Sequence, residues 1–159
     1  MRNITLPTQD GSTQIDHIII SIYGIFVIET KHMKGWIFGS ERQKTWTQKI
    51  YKKTYTFQNP LHQNYKHIKT LQSLLNLNNE EVFSVIVFSG ESTFKTQLPD
   101  NVVKGSQYID FIKSKDIAIF NTDDIKTIIN TIKSGKLAAS ISTHKQHIKH
   151  AKSIVAKKN

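Results

Sequence analysis

Residues 13–39 read TQIDHIIISIYGIFVIETKHMKGWIFG, and the alternation inside this stretch decides the fold. Two runs rich in β-branched residues, Gln14–Ile22 and Ile25–Lys31, are separated by Tyr23-Gly24. Isoleucine and valine favour pleated strands and glycine favours a turn, so the stretch predicts a β-hairpin. With the turn centred on Tyr23-Gly24 and a two-residue loop, Asp16 falls opposite Lys31 and diagonal to Glu29; a four-residue loop puts Asp16 opposite Glu29. Either pairing leaves all three on one face, because side chains alternate with a period of two. That face is apolar near the turn, at Ile18, Ile20, Ile25 and Val27. At its open end it is polar, with Gln14, Asp16, Glu29 and Lys31.

Two carboxylates and a lysine at the margin of a core are costly unless something compensates. A bound cation would do so. Carboxylate oxygens suit Mg²⁺, which keeps several waters and leaves room for a phosphate oxygen. A lysine beside such an ion can orient a water and stabilise developing charge. The plainer reading of the same residues is a cross-strand ion cluster on a sheet edge.

Outward from the hairpin, Asn3–Leu6 reads as a short edge strand stopped by Pro7, and residues 8–12 as a turn. Gly35–Gly39 and Trp46–Tyr55 read as further strands. Asn59 and Pro60 then supply an N-cap and first position for a helix. Leu61, Tyr65, Ile68, Leu71, Leu74 and Leu75 recur at helical spacing, and Asn78-Asn79 closes it. Val82–Phe88 is an apolar run of strand length, as expected of a strand covered on both faces. Ser106–Lys113 predicts a short helix and Ile117–Phe120 a short strand. Thr122 is read as the cap of another helix, with Asp123 and Asp124 in its first turn and Gly135 ending it. A last helix is expected from about Thr143 to Ala156. The order predicts an α/β fold, a mixed sheet with helices packed on it. The expected organisation is one domain over 1–159, with a core over about 3–120 and C-terminal helices over about 122–157.

Composition narrows the function classes. The 159 residues include no cysteine, which excludes disulfides and thiolate-bound zinc. No apolar run approaches the roughly 20 residues of a bilayer span, and the N-terminus lacks an apolar signal core, so the expectation is a cytoplasmic protein with no membrane partner. The formal charge is +10 and segregated. Residues 42–79 carry seven basic side chains and no acid, and residues 125–159 carry eight lysines and no acid. A segregated positive surface suits a polyanion such as nucleic acid, although lysine richness also serves solubility.

The stretch from Thr13 resembles the nuclease-related domain family. Asn59-Pro60 with Gln63, His67 and Leu71 resembles that family's Asn-Pro-x-x-Gln helix, and Trp46 with Gln48 resembles its tryptophan-glutamine segment. The likeness covers roughly residues 4–90 and fades in the C-terminal third. It implies a restriction-endonuclease-like fold of the PD-(D/E)xK superfamily. There Asp16, Glu29 and the main-chain carbonyl of Thr30 would hold Mg²⁺ or Mn²⁺. Lys31 would position the attacking water, Gln63 would point at the site, and DNA would be hydrolysed. Nucleases of this fold often cut duplexes as dimers, so a homodimer is compatible with the reading. Family members usually open with a helix carrying a glutamate, whereas no glutamate precedes Glu29 here. The alternative is therefore a nucleic-acid-binding module of the same fold with weak or absent catalysis.

Further candidates lie outside this trio. Lys34, Lys49, Lys52 and Lys53 alternate with Trp36, Trp46, Tyr51 and Tyr55, a pattern that suits phosphate contact and base stacking; packing is the competing reading for each aromatic. Gln14 and Gln48 join the expected nucleic-acid contacts. His67 is read as completing the helix surface. His144, His147 and His150 read as a solvated basic helix face, and Glu91 as a polar residue at a strand end where sites form.

Overall fold

The computed structural model describes residues 1–8 and 11–136. Strand β1 (Arg2–Thr8) pairs antiparallel with β2 (Gly11–Ser21), and β2 with β3 (Gly24–His32). The hairpin loop is Ile22-Tyr23, with Ser21 opposite Gly24. The turn is thus centred one residue earlier than Tyr23-Gly24, and the register sets Asp16 toward Glu29, the second of the two expected pairings, rather than Lys31. Gly24 is the residue that shifts it. Its φ of 135° suits glycine alone, and a Cβ there would strike the Phe83 ring. β1 runs through Pro7 instead of stopping there. It is an edge strand, where a residue without N–H need cost no ladder bond.

The chain continues into β4 (Gly35–Phe38), β5 (Thr45–Ile50) and β6 (Lys53–Gln58). The single strand expected over Trp46–Tyr55 is two strands of a hairpin, turning at Tyr51-Lys52. The tip Tyr51-Lys52 carries no glycine, proline or asparagine to mark a turn. Helix α1 (Pro60–Leu75) follows and ends at Asn76 in a left-handed conformation, before the expected Asn78-Asn79. Strand β7 (Val82–Ser89) lies parallel to β3, and β8 (Ser92–Phe94) parallel to β4. Strand β9 (Val102–Lys104) and helix α2 (Tyr108–Lys113) come next. Residues 122–136 form a helix, here α3.

Two mixed sheets result, ordered β1-β2-β3-β7-β9 and β6-β5-β4-β8. With the helices they give a mixed α/β architecture consistent with a restriction-endonuclease-like fold. β3 and β7 pass from the first sheet into the second as β4 and β8, through bends at Met33-Lys34 and Gly90-Glu91. One face of the first sheet packs Ile18, Ile25 and Val27 against Ile68 and Leu71 of α1 and Ile128 and Ile132 of α3. The other face packs Phe26, Ile28, Val85 and Val87 against α2. β3 and β7 are covered on both sides, as the apolar run 82–88 predicts.

Three expectations are corrected here. Ile117–Phe120 is not a strand. Its amides at Ile119 and Phe120 bond the Ile22 carbonyl across the hairpin turn, and only Phe120 is buried. The cap of α3 is Asn121, not Thr122. Asn121 Oδ1 accepts from the amides of Asp123 and Asp124, and Asp124 Oδ2 accepts from the Asn121 amide, a reciprocal capping box. Gly135 does not end α3, which runs through it to at least residue 136. Its missing side chain admits Leu74 of α1, so it serves helix contact rather than termination. The helix expected at Thr143–Ala156, with His144, His147 and His150, lies outside the described residues.

Candidate active site

β2 does not alternate regularly. Ile15 and Ile18 both enter the core under α1, although residues three apart on a regular strand face opposite ways. The facing of the strand changes at Asp16-His17 while its register with β1 is kept, and its ladder with β3 stops at His17 opposite Ile28. The Asp16 carboxylate fills the gap. The Thr30 amide donates to Asp16 Oδ2 at 2.9 Å, and Thr30 Oγ1 donates to the same oxygen at 2.6 Å. The acid is thereby fixed where β2 leaves β3, next to the main chain of Thr30.

On β3 the residues facing α1 are Ile25, Val27, Glu29 and Lys31, so the stripe changes from core to charge. Glu29 is 2% exposed. A buried carboxylate needs partners, since desolvation otherwise outweighs any gain. Lys31 Nζ donates to Glu29 Oε1 at 2.7 Å and to Gln63 Oε1 at 2.9 Å. Lysine only donates, which fixes the amide orientation of Gln63. An ammonium has three N–H groups and two are spent here, so one remains for a ligand.

Helix α1 is pinned above this face by two asparagines. Asn59 Oδ1 caps the Leu61 amide at 2.9 Å, while Nδ2 donates to the carbonyls of Ser40, Glu41 and Gln43. Asn64, fully buried, donates to the Val27 carbonyl and to Ser84 Oγ, tying the helix to β3 and β7. Gln63 and His67, four apart, then point the same way.

His67 is not a helix-surface residue. It is 5% exposed, with Nδ1 at 2.7 Å from Thr13 Oγ1 and Nε2 at 3.3 Å from Glu29 Oε2. The second contact is an electrostatic one without hydrogen-bond geometry, so both atoms stay buried and unbonded. The imidazole closes a polar chain, Thr13–His67–Glu29–Lys31–Gln63, of which the sequence reading held only the last three members. The i, i+4 spacing from Gln63 was the available signal. Burial, invisible in the spacing, was the missing fact.

The remaining candidates divide. Gln14 is exposed on β2 beside this chain. Lys34, Trp36, Gln48 and Lys49 gather where β4 meets β5, and Gln48 Nε2 donates to the Lys34 carbonyl at 2.9 Å. Lys52 and Lys53 sit apart, at the exposed β5–β6 turn. Trp46 is fully buried against Phe57 and Phe88, its indole N–H on the Ser40 carbonyl. Lys95, not foreseen, places its ammonium 4.4 Å from the centroid of the half-exposed Trp36 ring.

The donor set fits a hard cation of the magnesium type. Asp16 and Glu29 supply carboxylate oxygens, and Glu29 Oε2 is a buried acceptor with no hydrogen bond. Mg²⁺ needs only one or two carboxylates. Among the described residues no three His, Cys, Asp or Glu side chains gather into a cage, as a zinc-type site would require. No helix among them is long and apolar enough to cross a membrane.

Comparison with known proteins bears on the same residues. The family model described as "Nuclease-related domain" matches residues 1–89, which contain Asp16, Glu29, Lys31, Gln63 and His67. An uncharacterized protein of Bacillus anthracis is 54% identical over 76 residues. That match covers 47% of this chain and 36% of the relative, so the chain matches only about a third of that protein's length. No solved structure matches significantly.

Proposed function

The chain belongs to the nuclease-related domain family, and from that premise we propose that it is a metal-dependent nuclease hydrolysing phosphodiester bonds of DNA. The observation that carries this reading is Lys31, held between Glu29 and Gln63 with one N–H to spare, beside an acid anchored on the adjoining strand. Asp16 followed by Glu29-x-Lys31 is the pattern of the PD-(D/E)xK superfamily, to which we assign the fold.

In this reading Asp16, Glu29 and the Thr30 carbonyl hold Mg²⁺ or Mn²⁺, which when bound neutralises charge on the phosphate as a Lewis acid. The chain's own groups do the rest. Lys31 donates its free N–H to the attacking water and to charge developing on the phosphate oxygens. Gln63 and Glu29 hold the ammonium in place, and His67 holds Glu29. The water oxygen bonds to phosphorus and gives up a proton to solvent as the ester P–O bond breaks, and the leaving alkoxide takes up a proton from solvent. Glu29 is acceptor-only in this arrangement and Lys31 donor-only, so neither duplicates the other.

A second reading has its own observation. Both bonds that Asp16 makes to Thr30 use Oδ2, and Glu29 Oε1 is taken by Lys31, so one oxygen of each acid is already engaged within the protein. The same geometry then serves a nucleic-acid-binding module of little activity. The test is cleavage of plasmid and single-stranded DNA by the purified chain with Mg²⁺ or Mn²⁺, against Glu29→Ala and Lys31→Ala. A nuclease gives cleavage that falls about 10²-fold or more in both variants. DNA binding without cleavage in the parent would establish the module instead.

A further inference from the structure

Lys34, Gly35, Trp36, Lys49, Ile50, Tyr51 and Glu91 meet where β4, β5 and β8 begin or end, and they enclose an open groove of about 560 Å³. A second hollow of about 490 Å³ shares Lys34, Ile50 and Glu91 with it and extends to His32 and Gln48. His32 follows Lys31 in the chain, so the combined groove is lined by the end of the strand that carries Glu29 and Lys31, and it reaches to Trp36. Trp36 is five positions beyond Lys31, at most about 17 Å of extended strand.

The lining has a division of labour. Trp36 is 47% exposed and Tyr51 is 95% exposed, an unusual cost for large rings unless they have a use. Lys34 and Lys49 are exposed at the rim, and the Lys95 ammonium lies over the Trp36 ring. Lys49 stands directly across the ladder from Trp36. Glu91 is the one carboxylate on the groove among the described residues. It repels phosphate and accepts from base amino groups, so a strand lying here turns its bases inward and its backbone toward the lysines.

We propose that this groove is a subsite for an unpaired segment of nucleic acid, with a base stacked on Trp36 and its flanking phosphates on Lys34, Lys49 and Lys95. The assignment to single strands follows from geometry. Within a duplex the π-faces of the bases are already stacked on one another, and only an unstacked base offers one to a protein ring. The subsite deepens the nuclease reading, on which it rests, by naming the form of substrate led to Lys31.

The test uses the full chain in chelator, where binding is read without cleavage. A fluorescent single-stranded oligothymidine of twelve residues and a duplex of equal length are each titrated by anisotropy. Trp36→Ala is expected to weaken the single strand about 5- to 100-fold and leave the duplex within twofold, with Trp36→Phe restoring most of the loss. Lys34→Gln with Lys49→Gln is expected to flatten the salt dependence of single-strand binding by about two contacts. Near-ultraviolet circular dichroism of the buried Trp46 checks that each variant is folded. Unchanged single-strand affinity in folded Trp36→Ala, an equal loss on single strand and duplex, or no single-strand binding by the parent would each overturn the proposal. Cleavage is scored separately with Mg²⁺, so an inactive protein that still binds through Trp36 would sink the nuclease reading and leave the subsite standing.

Discussion

At the residue scale the informative side chain is His67. A histidine on an amphipathic helix ordinarily completes a surface, yet here it is buried between Thr13 and Glu29. Its role follows from Glu29, whose carboxylate is 2% exposed and has one hydrogen-bonded partner, Lys31. Removing the imidazole leaves Glu29 Oε2 beside a cavity and Thr13 Oγ1 without its acceptor or donor. His67→Ala is therefore expected to cost about 1–3 kcal/mol in urea unfolding, with His67→Gln recovering part of it because an amide can still bridge the two. A His67→Ala chain as stable as the parent would show that the polar chain is idle. Lys31 was legible from strand alternation, and Gln63 from the family resemblance. The partner of Glu29 was not, since a period of 3.6 says which residues share a face and not how deeply that face is sunk.

At the scale of elements, α1 is placed by its asparagines rather than by its leucines. Leu71 and Ile68 supply the burial, but burial is non-directional and would tolerate the helix sliding along the sheet. Asn59, with one amide spread over the carbonyls of Ser40, Glu41 and Gln43, fixes the start of the helix to the β4–β5 connection. Loss of this side chain removes a cap and strands buried carbonyls. Asn59→Ala should cost more than an ordinary cap, about 3 kcal/mol, against about 1 kcal/mol or less for Asn121→Ala at the exposed start of α3. Chemical denaturation of the two variants compares them directly; equal losses would mean that Asn59 is only a cap. The cap itself could be read from Asn59-Pro60. Its second function could not, because the three carbonyls come from an irregular connection with no periodic signature. The β5–β6 turn escaped for a related reason, its Tyr51-Lys52 tip carrying no glycine, proline or asparagine to mark it.

For the whole molecule the relevant quantities are core and charge. Leu71 is fully buried among Ile4, Leu6, Ile15 and Ile132, residues from three other elements. Leu71→Ala is expected to cost about 2–5 kcal/mol and to lower the urea midpoint well below that of the groove variant Trp36→Ala. Equal midpoints would contradict the core assignment. The charge of +10 bears on partners rather than on folding. If four lysines each displace a counterion on a single strand, affinity should fall roughly 50-fold between about 50 and 200 mM salt. Anisotropy at several salt concentrations measures this, and a flat dependence would argue against any polyanion partner.

The sequence by itself determined the hairpin, the helix after Asn59-Pro60, the doubly covered strand at Val82–Phe88 and the stripe on which core gives way to Glu29 and Lys31. Those are local properties: a period of two or 3.6, a cap and a glycine are written in neighbouring residues. Only the tertiary structure decided the change of facing in β2 at Asp16-His17, the burial of His67, the meeting of Lys34, Trp36, Lys49 and Glu91 around one groove, and the use of Gly135 as a contact for Leu74. Each of these depends on segments far apart in the chain competing for the same space and the same hydrogen bonds. That competition is settled by packing and by the need to pair every buried polar group, and neighbouring residues carry no record of it.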